Sequence, residues 1–263
     1  MSEKSKTDYI KLYQELHQKE TDYGTSGSNY YNEVCLVIDY LKPKTVLDFG
    51  CGKAVLIGQL EKKYPDIKFY GYDPAIPERS KLPLNKADLV INTDVLEHIP
   101  ESQLPSVIQE ISKISDKVFF GVHHALAYTL LPNGENAHCT VRPIFWYYHL
   151  FEKYFPCMTV LEGRESYLNT FLTFPVKPDF IKRYEDSIKK SKNDMKQYED
   201  SIKACEDKIR KSEDKIKKCE ETVTQLLALR SSARKRKKLS LKNKFYYKIW
   251  KHLDKKLRKK GLI

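Results

Sequence analysis

The stretch Val46-Leu-Asp48-Phe-Gly50-Cys51-Gly52-Lys-Ala54 limits what this chain can fold into more than any other. It reads as an apolar strand, a glycine-rich turn and the start of a helix. Gly50 and Gly52 let the backbone turn tightly and approach a ligand closely where side chains would block it. Asp48 ends the strand just before the turn, where a carboxylate can meet an amine or hydroxyl of a bound nucleoside. A second strand ends likewise: Phe69-Tyr-Gly71-Tyr-Asp73 places an acid where both hydroxyls of a ribose can be accepted.

A unit of this kind needs neighbours, and residues 1 to about 175 supply them. Strands are expected at Thr45–Phe49, Ile67–Tyr72, Ala87–Asn92, Lys117–Val122, Met158–Glu162 and Leu168–Phe174. Most are short and apolar on both faces, as strands covered by helices on each side should be. Helical patterns at Asn29–Leu41, Ala54–Lys63, Gln103–Ile114 and Pro143–Tyr154 lie between them. Alternating strands and helices imply parallel βαβ units. Gly163–Tyr167, joining the last two strands, is too short for a parallel crossover, so the final strand should run antiparallel. The expectation is an α/β fold: a mostly parallel sheet with a terminal antiparallel strand and helices on both faces.

Charge divides the chain. Residues 230–263 hold 15 Lys and Arg against one acid, Asp254; the resulting +14, set against +12 overall, leaves −2 for residues 1–229. The basic character belongs to a tail. Six cysteines without metal-ligand spacing suit a reducing compartment, as small hydrophobes. No secretory leader and no 18-residue apolar run is visible, so a cytoplasmic protein is expected. From Ile181 a heptad runs without a slip. Its a positions are Ile181, Ile188, Met195, Ile202, Ile209, Ile216 and Val223; its d positions include Tyr184, Tyr198, Cys205, Cys219 and Leu226. The expected organisation is a folded domain over 1–175, a coiled coil over 176–229 giving a homo-oligomer, and a basic amphipathic tail over 230–263. Leu241, Phe245, Ile249, Leu253 and Leu257, with Trp250 beside them and lysines opposite, suit the anionic inner face of a membrane. The run Arg234–Lys238 could instead contact nucleic acid.

The series VLDFGCGKA, then GYD about 20 residues on, then ADLVINTDVLEHI resembles the signature of class I, Rossmann-like methyltransferases dependent on S-adenosylmethionine. By that resemblance Asp48 and the turn Gly50-Cys51-Gly52 line the methionine part of S-adenosylmethionine, Asp73 holds its ribose, and Asp94 faces the sulfonium. Thr21–Gly27 would fold over the cofactor as a lid, with Tyr23 near its carboxylate; an ordinary capped loop fits that segment as well. Two departures stand out. Ala54 replaces the third glycine, and only 14 residues separate Asp73 from Asp88, where such enzymes fit a helix and another strand. The edge of the sheet should therefore be trimmed, and no adenine-contacting acid has a clear counterpart.

The acceptor side is marked by His123-His124 and Pro132-Asn133-Gly-Glu135-Asn136-Ala-His138, after the strand ending near Val122. Histidine is the natural base near neutral pH, and His124 and His138 are the expected catalytic pair beside Asp94. Three histidines are also a possible metal set. No acid is spaced beside them to complete it, so no metal is expected. The Pro-Asn-Gly-Glu-Asn-Ala-His stretch and the aromatic helix after it (Phe145, Trp146, Tyr147, Tyr148) resemble methyltransferases of bacterial surface-polysaccharide gene clusters. That resemblance implies O-methylation of a surface or capsule glycan, or of a phosphorylated or nucleotide-linked glycan precursor, by a protein peripheral on the inner membrane. The alternatives are an RNA methyltransferase holding substrate with its tail, and a non-catalytic scaffold built on the cofactor fold.

Overall fold

A computed structural model describes residues 6–259; side chains are described from residue 9, apart from nine positions between 226 and 239. The side chains of Leu226 of the heptad and of Arg234 and Arg236 of the basic run, and residues 260–263 of the tail, lie outside the described set. The chain separates into two compact units, residues 1–194 and 195–263.

The first unit is built on a six-stranded sheet. Its strands are β1 (Thr45–Phe49), β2 (Lys68–Tyr72), β3 (Leu89–Thr93), β4 (Val118–His123), β5 (Thr159–Glu162) and β6 (Leu168–Leu172), in the order β2-β1-β3-β4-β6-β5. β1 pairs in parallel with β2 and β3, and β3 with β4, whereas β6 is antiparallel to both β4 and β5. The expected mostly parallel sheet with an antiparallel strand is therefore present. Between Tyr72 and Leu89 there is a single 3-10 turn, Pro77–Arg79, and no strand, so β2 is the edge. Asp94 accordingly follows the third strand of this sheet.

Alternation along the strands feeds two apolar layers. Val46, Leu89, Ile91 and Phe119 point to one face; Leu47, Val90, Val118 and Phe120 point to the other. The first face is covered by α2 (Tyr31–Leu41) and α3 (Val55–Lys63), through Val34, Ile38, Leu56 and Leu60. α4 (Leu104–Ile114) and α5 (Ile144–Phe151) cover the second. In α4, Leu104, Val107, Ile108 and Ile111 recur at the i, i+3, i+4, i+7 spacing of a single buried stripe. Tyr147 of the aromatic helix is buried and donates to the Thr140 carbonyl at 3.0 Å, so part of that aromatic run serves packing.

Two features differ from expectation. An extra helix, α1 (Lys6–Lys19), precedes the fold; its Tyr13 and Leu16 pack with Ala75, Leu131 and Ala137. The domain's core also continues past residue 175. The helix α6 (Pro178–Lys259) begins by burying Phe180, Tyr184 and Ile188, at i, i+4 steps, against the first face of the sheet. Tyr184 donates its hydroxyl to Thr170 of β6 at 2.8 Å. The first heptad positions are thus core residues of this domain. In the second unit, by contrast, Ile202, Ile209, Ile216 and Val223 are more than half exposed, as an uncovered seam would be.

Candidate active site

A cavity of about 640 Å³ opens at the carboxyl ends of β1–β4, the usual ligand position of an open α/β sheet. Tyr23, Asp48, Gly50, Cys51, Gly52, Asp73, Asp94 and His138 all line it.

At one end the glycine turn is shaped by the backbone. Gly50 and Gly52 have φ of +93° and +48°, and a Cβ on Gly52 would stand 2.4 Å from the carbonyl oxygen of Gly24. The residue must be glycine because the 20–27 segment lies directly on the turn. Lys53 secures it: its amide donates to Gly24 O at 2.9 Å, and its ammonium donates to the carbonyls of Glu20 and Thr21. Asp73 supports the turn from beneath, its carboxylate accepting from the amides of Gly52 (2.9 Å) and Ala75 (2.8 Å). Asp48 is buried with one carboxylate oxygen unpartnered, and burial, followed by the charge of Asp73, raises its pKa to about 7. A buried oxygen left without a donor beside a ligand cavity is a place for a cation.

The middle of the site is Asp94, in the left-handed region at φ +53° although it is not glycine. Its amide donates to Gly121 O at 3.0 Å, and the buried Tyr30 hydroxyl donates to its carboxylate at 3.2 Å. Arg164 lies over the Tyr30 ring and pairs with the buried Glu33 at 3.6 Å. Sequence reasoning missed Tyr30, because nothing in the linear order joins it to Asp94.

At the other end stand three histidines, with the ring of His138 4.7 Å from those of both His98 and His123. Burial lowers the pKa of all three, His98 to about 3, so they are neutral near pH 7. Glu97, fully buried, accepts from the His123 amide at 3.0 Å and has an unpartnered second oxygen; burial, then the Asp94 charge, holds its carboxyl well above the ordinary range. His138 lines the cavity. His124, the other histidine of the expected pair, does not: it follows the last residue of β4, where side chains alternate, and its ring bonds the Asn169 side chain at 2.7 Å, away from the cavity. His123 is the neighbour that lines the cavity. α1 closes this end, the Tyr13 hydroxyl being shared between the carbonyls of His98 (2.9 Å) and Ala137 (2.7 Å).

Residues 29–153 match the model of a family described as a methyltransferase domain. Sheet order, glycine turn and family match together define a methyltransferase domain with a Rossmann-like sheet. No curated protein sequence matches the chain. Among solved structures, the chain is similar to the mitomycin 7-O-methyltransferase MmcR, at 12% identity and TM-score 0.47 over 62% of this chain and 59% of that one. It is similar to an O-methyltransferase family protein from Burkholderia thailandensis at 12% identity and TM-score 0.40, covering 58% of this chain and 59% of that one. The methyltransferase domain of bacterial CtHen1 matches at 19% identity and TM-score 0.42, over 56% of this chain and 100% of that domain. The chain thus spans 59% of the length of the O-methyltransferases among these.

Proposed function

We propose that the chain is an S-adenosylmethionine-dependent O-methyltransferase acting on a glycan, or on a phosphorylated or nucleotide-linked glycan precursor. The observation that carries the reading is the single cavity, with a nucleoside-type cradle at one end and hydroxyl-activating groups at the other. The chain's residues fit the cofactor. Asp73 and the Gly50–Gly52 turn form the cradle, the unpartnered oxygen of Asp48 suits a cationic group, and Asp94 stands between the two ends. When bound, the cofactor supplies an electrophilic methyl group on a sulfonium. The residues of the other end position the acceptor. Neutral His123 and His138 face the cavity, where an acceptor hydroxyl must give up its proton.

Tyr128, fully exposed, and Leu126, two-thirds exposed, stand at the rim. Such an apolar lip suits the flat face of a sugar ring better than a free anion. The acidic balance of residues 1–229 disfavours RNA at this rim and leaves the tail as the contact in that alternative.

The test is methyl transfer from labelled S-adenosylmethionine to fractionated cell glycans, nucleotide sugars and RNA. Label should appear in a glycan or sugar fraction, and His123→Ala or His138→Ala should lower turnover about 10²–10⁴-fold with cofactor affinity intact. His124→Ala should leave it within a few fold. Label confined to RNA would replace the acceptor, and no transfer with intact cofactor binding would favour the scaffold.

A further inference from the structure

Three side chains from separate parts of the chain meet at the acceptor end. Glu97 comes from the 3-10 turn after β3, His123 from the last position of β4, and His138 from the loop beyond it. One ligand atom from each lies within 4.8 Å of the other two. Glu97 is fully buried; its first oxygen accepts the His123 amide, and its second has no partner. The two rings are held by one residue, Ala125. Its carbonyl accepts from His138 Nδ1 at 2.6 Å, and its amide donates to His123 Nδ1 at 3.4 Å. A backbone carbonyl on Nδ1 leaves Nε2 of His138 as the lone-pair atom, the arrangement that orients metal-bound imidazoles; the lone pair of His123 is on Nδ1, held only by the long Ala125 contact, which a cation at that ring would displace.

We infer that Glu97, His123 and His138 form a binding site for a divalent transition-metal cation on the acceptor wall of the cavity. Two imidazoles and one carboxylate favour zinc, cobalt or iron over magnesium or calcium, which prefer oxygen. Ligand atoms about 2.1 Å from a common ion stand roughly 3.4 Å apart in tetrahedral geometry, so the cluster, now within 4.8 Å, needs to close by up to about 1.4 Å. Both histidines line the cavity, which leaves the remaining coordination positions turned toward a substrate oxygen. Asp94 in the same wall adds negative charge. Sequence spacing hid the set, because the acid lies 26 residues before one histidine and 41 before the other.

The consequence for chemistry rests on the O-methyltransferase reading; the cation site itself does not. An acceptor hydroxyl coordinated here loses its proton to bulk water far more readily, as metal-bound water falls from a pKa of 15.7 to about 7. His123 and His138 would then act as ligands and not as proton acceptors. The acceptor is accordingly a hydroxyl reachable by a wall-bound cation, a neutral alcohol of a sugar being the fitting class.

The full chain, stripped with a chelator, is titrated with Co²⁺ and followed by calorimetry and visible absorption. One equivalent should bind with a nitrogen–oxygen spectrum free of thiolate charge transfer. Glu97→Gln and His138→Asn should weaken binding by about 100-fold, the upper range for lost supporting partners and a floor for lost ligands. Gln keeps the carbonyl oxygen that accepts the His123 amide, so this variant tests the charge without breaking the turn; circular dichroism checks its fold. His124→Ala should bind Co²⁺ as the parent does. Equal binding by the parent and Glu97→Gln, a thiolate-dominated spectrum, or no binding at all overturns the site. S-adenosylhomocysteine binding is measured alongside. Its retention without Co²⁺ binding sinks the cation and spares the methyltransferase reading, whereas its loss with Co²⁺ binding intact does the reverse.

Discussion

Asp73 makes two backbone hydrogen bonds within the cradle and still has lone pairs facing the cavity. Asp73→Ala should weaken S-adenosylhomocysteine binding by roughly 1.5–3 kcal/mol, the range for hydrogen bonds to charged groups, and loosen the Gly52 turn. Calorimetry decides it; unchanged affinity would remove Asp73 from the ribose. Asp48 behaves differently because its pKa is raised from 3.8 to about 7 by burial. A nearby cationic ligand favours its ionised form, so cofactor affinity should rise as pH climbs through 7, with proton release visible as buffer-dependent heats. The unliganded fold has the opposite dependence. A raised folded pKa contributes stability below pH 4 that is lost as pH rises toward 7, at up to roughly 1.4 kcal/mol per pH unit. Asp48→Asn should flatten both profiles. A pH-independent affinity in the parent would show that no cation meets Asp48.

At the level of elements, the start of α6 belongs to the folded domain. Phe180 is 1% exposed beneath the sheet, and its truncation to Ala should cost about 3–5 kcal/mol in chemical denaturation. Ile202→Ala, on the exposed stretch, should leave domain stability unchanged. A fragment ending at 175 should therefore be unstable, and one ending at 194 should fold; equal stability of the two would show that the contacts of Phe180 and Tyr184 are dispensable. The heptad was legible in sequence, but it could not show which partner its first positions take. Periodicity reports a buried face and is silent on what buries it. α1 was missed for a related reason: its mixed Lys, Tyr and Leu pattern gains a purpose only over the cavity.

For the whole molecule, the described residues contain no helix long and apolar enough to cross a membrane. The last helix leaves Leu241, Phe245 and Trp250 about 60% exposed beside many lysines. Our reading of a membrane-surface segment gives affinity two parts, charge attraction of about 1 kcal/mol per basic residue and insertion of the apolar face. Phe245→Ala with Trp250→Ala should loosen binding to anionic vesicles even in high salt, and insertion should shift Trp250 emission to the blue. Tight RNA binding with a steep salt slope and no shift on vesicles would assign the tail to nucleic acid instead.

Strand positions, the glycine turn, the acids that end the first two strands and the trimmed edge were readable because each depends on neighbours in sequence: periodicity, turn chemistry and the length between Asp73 and Asp88. The antiparallel strand followed from a connection five residues long. The acceptor end was not readable in that way. Whether His123 or His124 faces the cavity turns on where β4 ends, a single step of strand alternation. The meeting of Glu97 with His138, and of Tyr30 with Asp94, exists only because strand ends distant in sequence converge at one edge of the sheet. Local order writes the scaffold, whereas the chemistry at its rim is decided by which side chains tertiary packing leaves buried and unpartnered together.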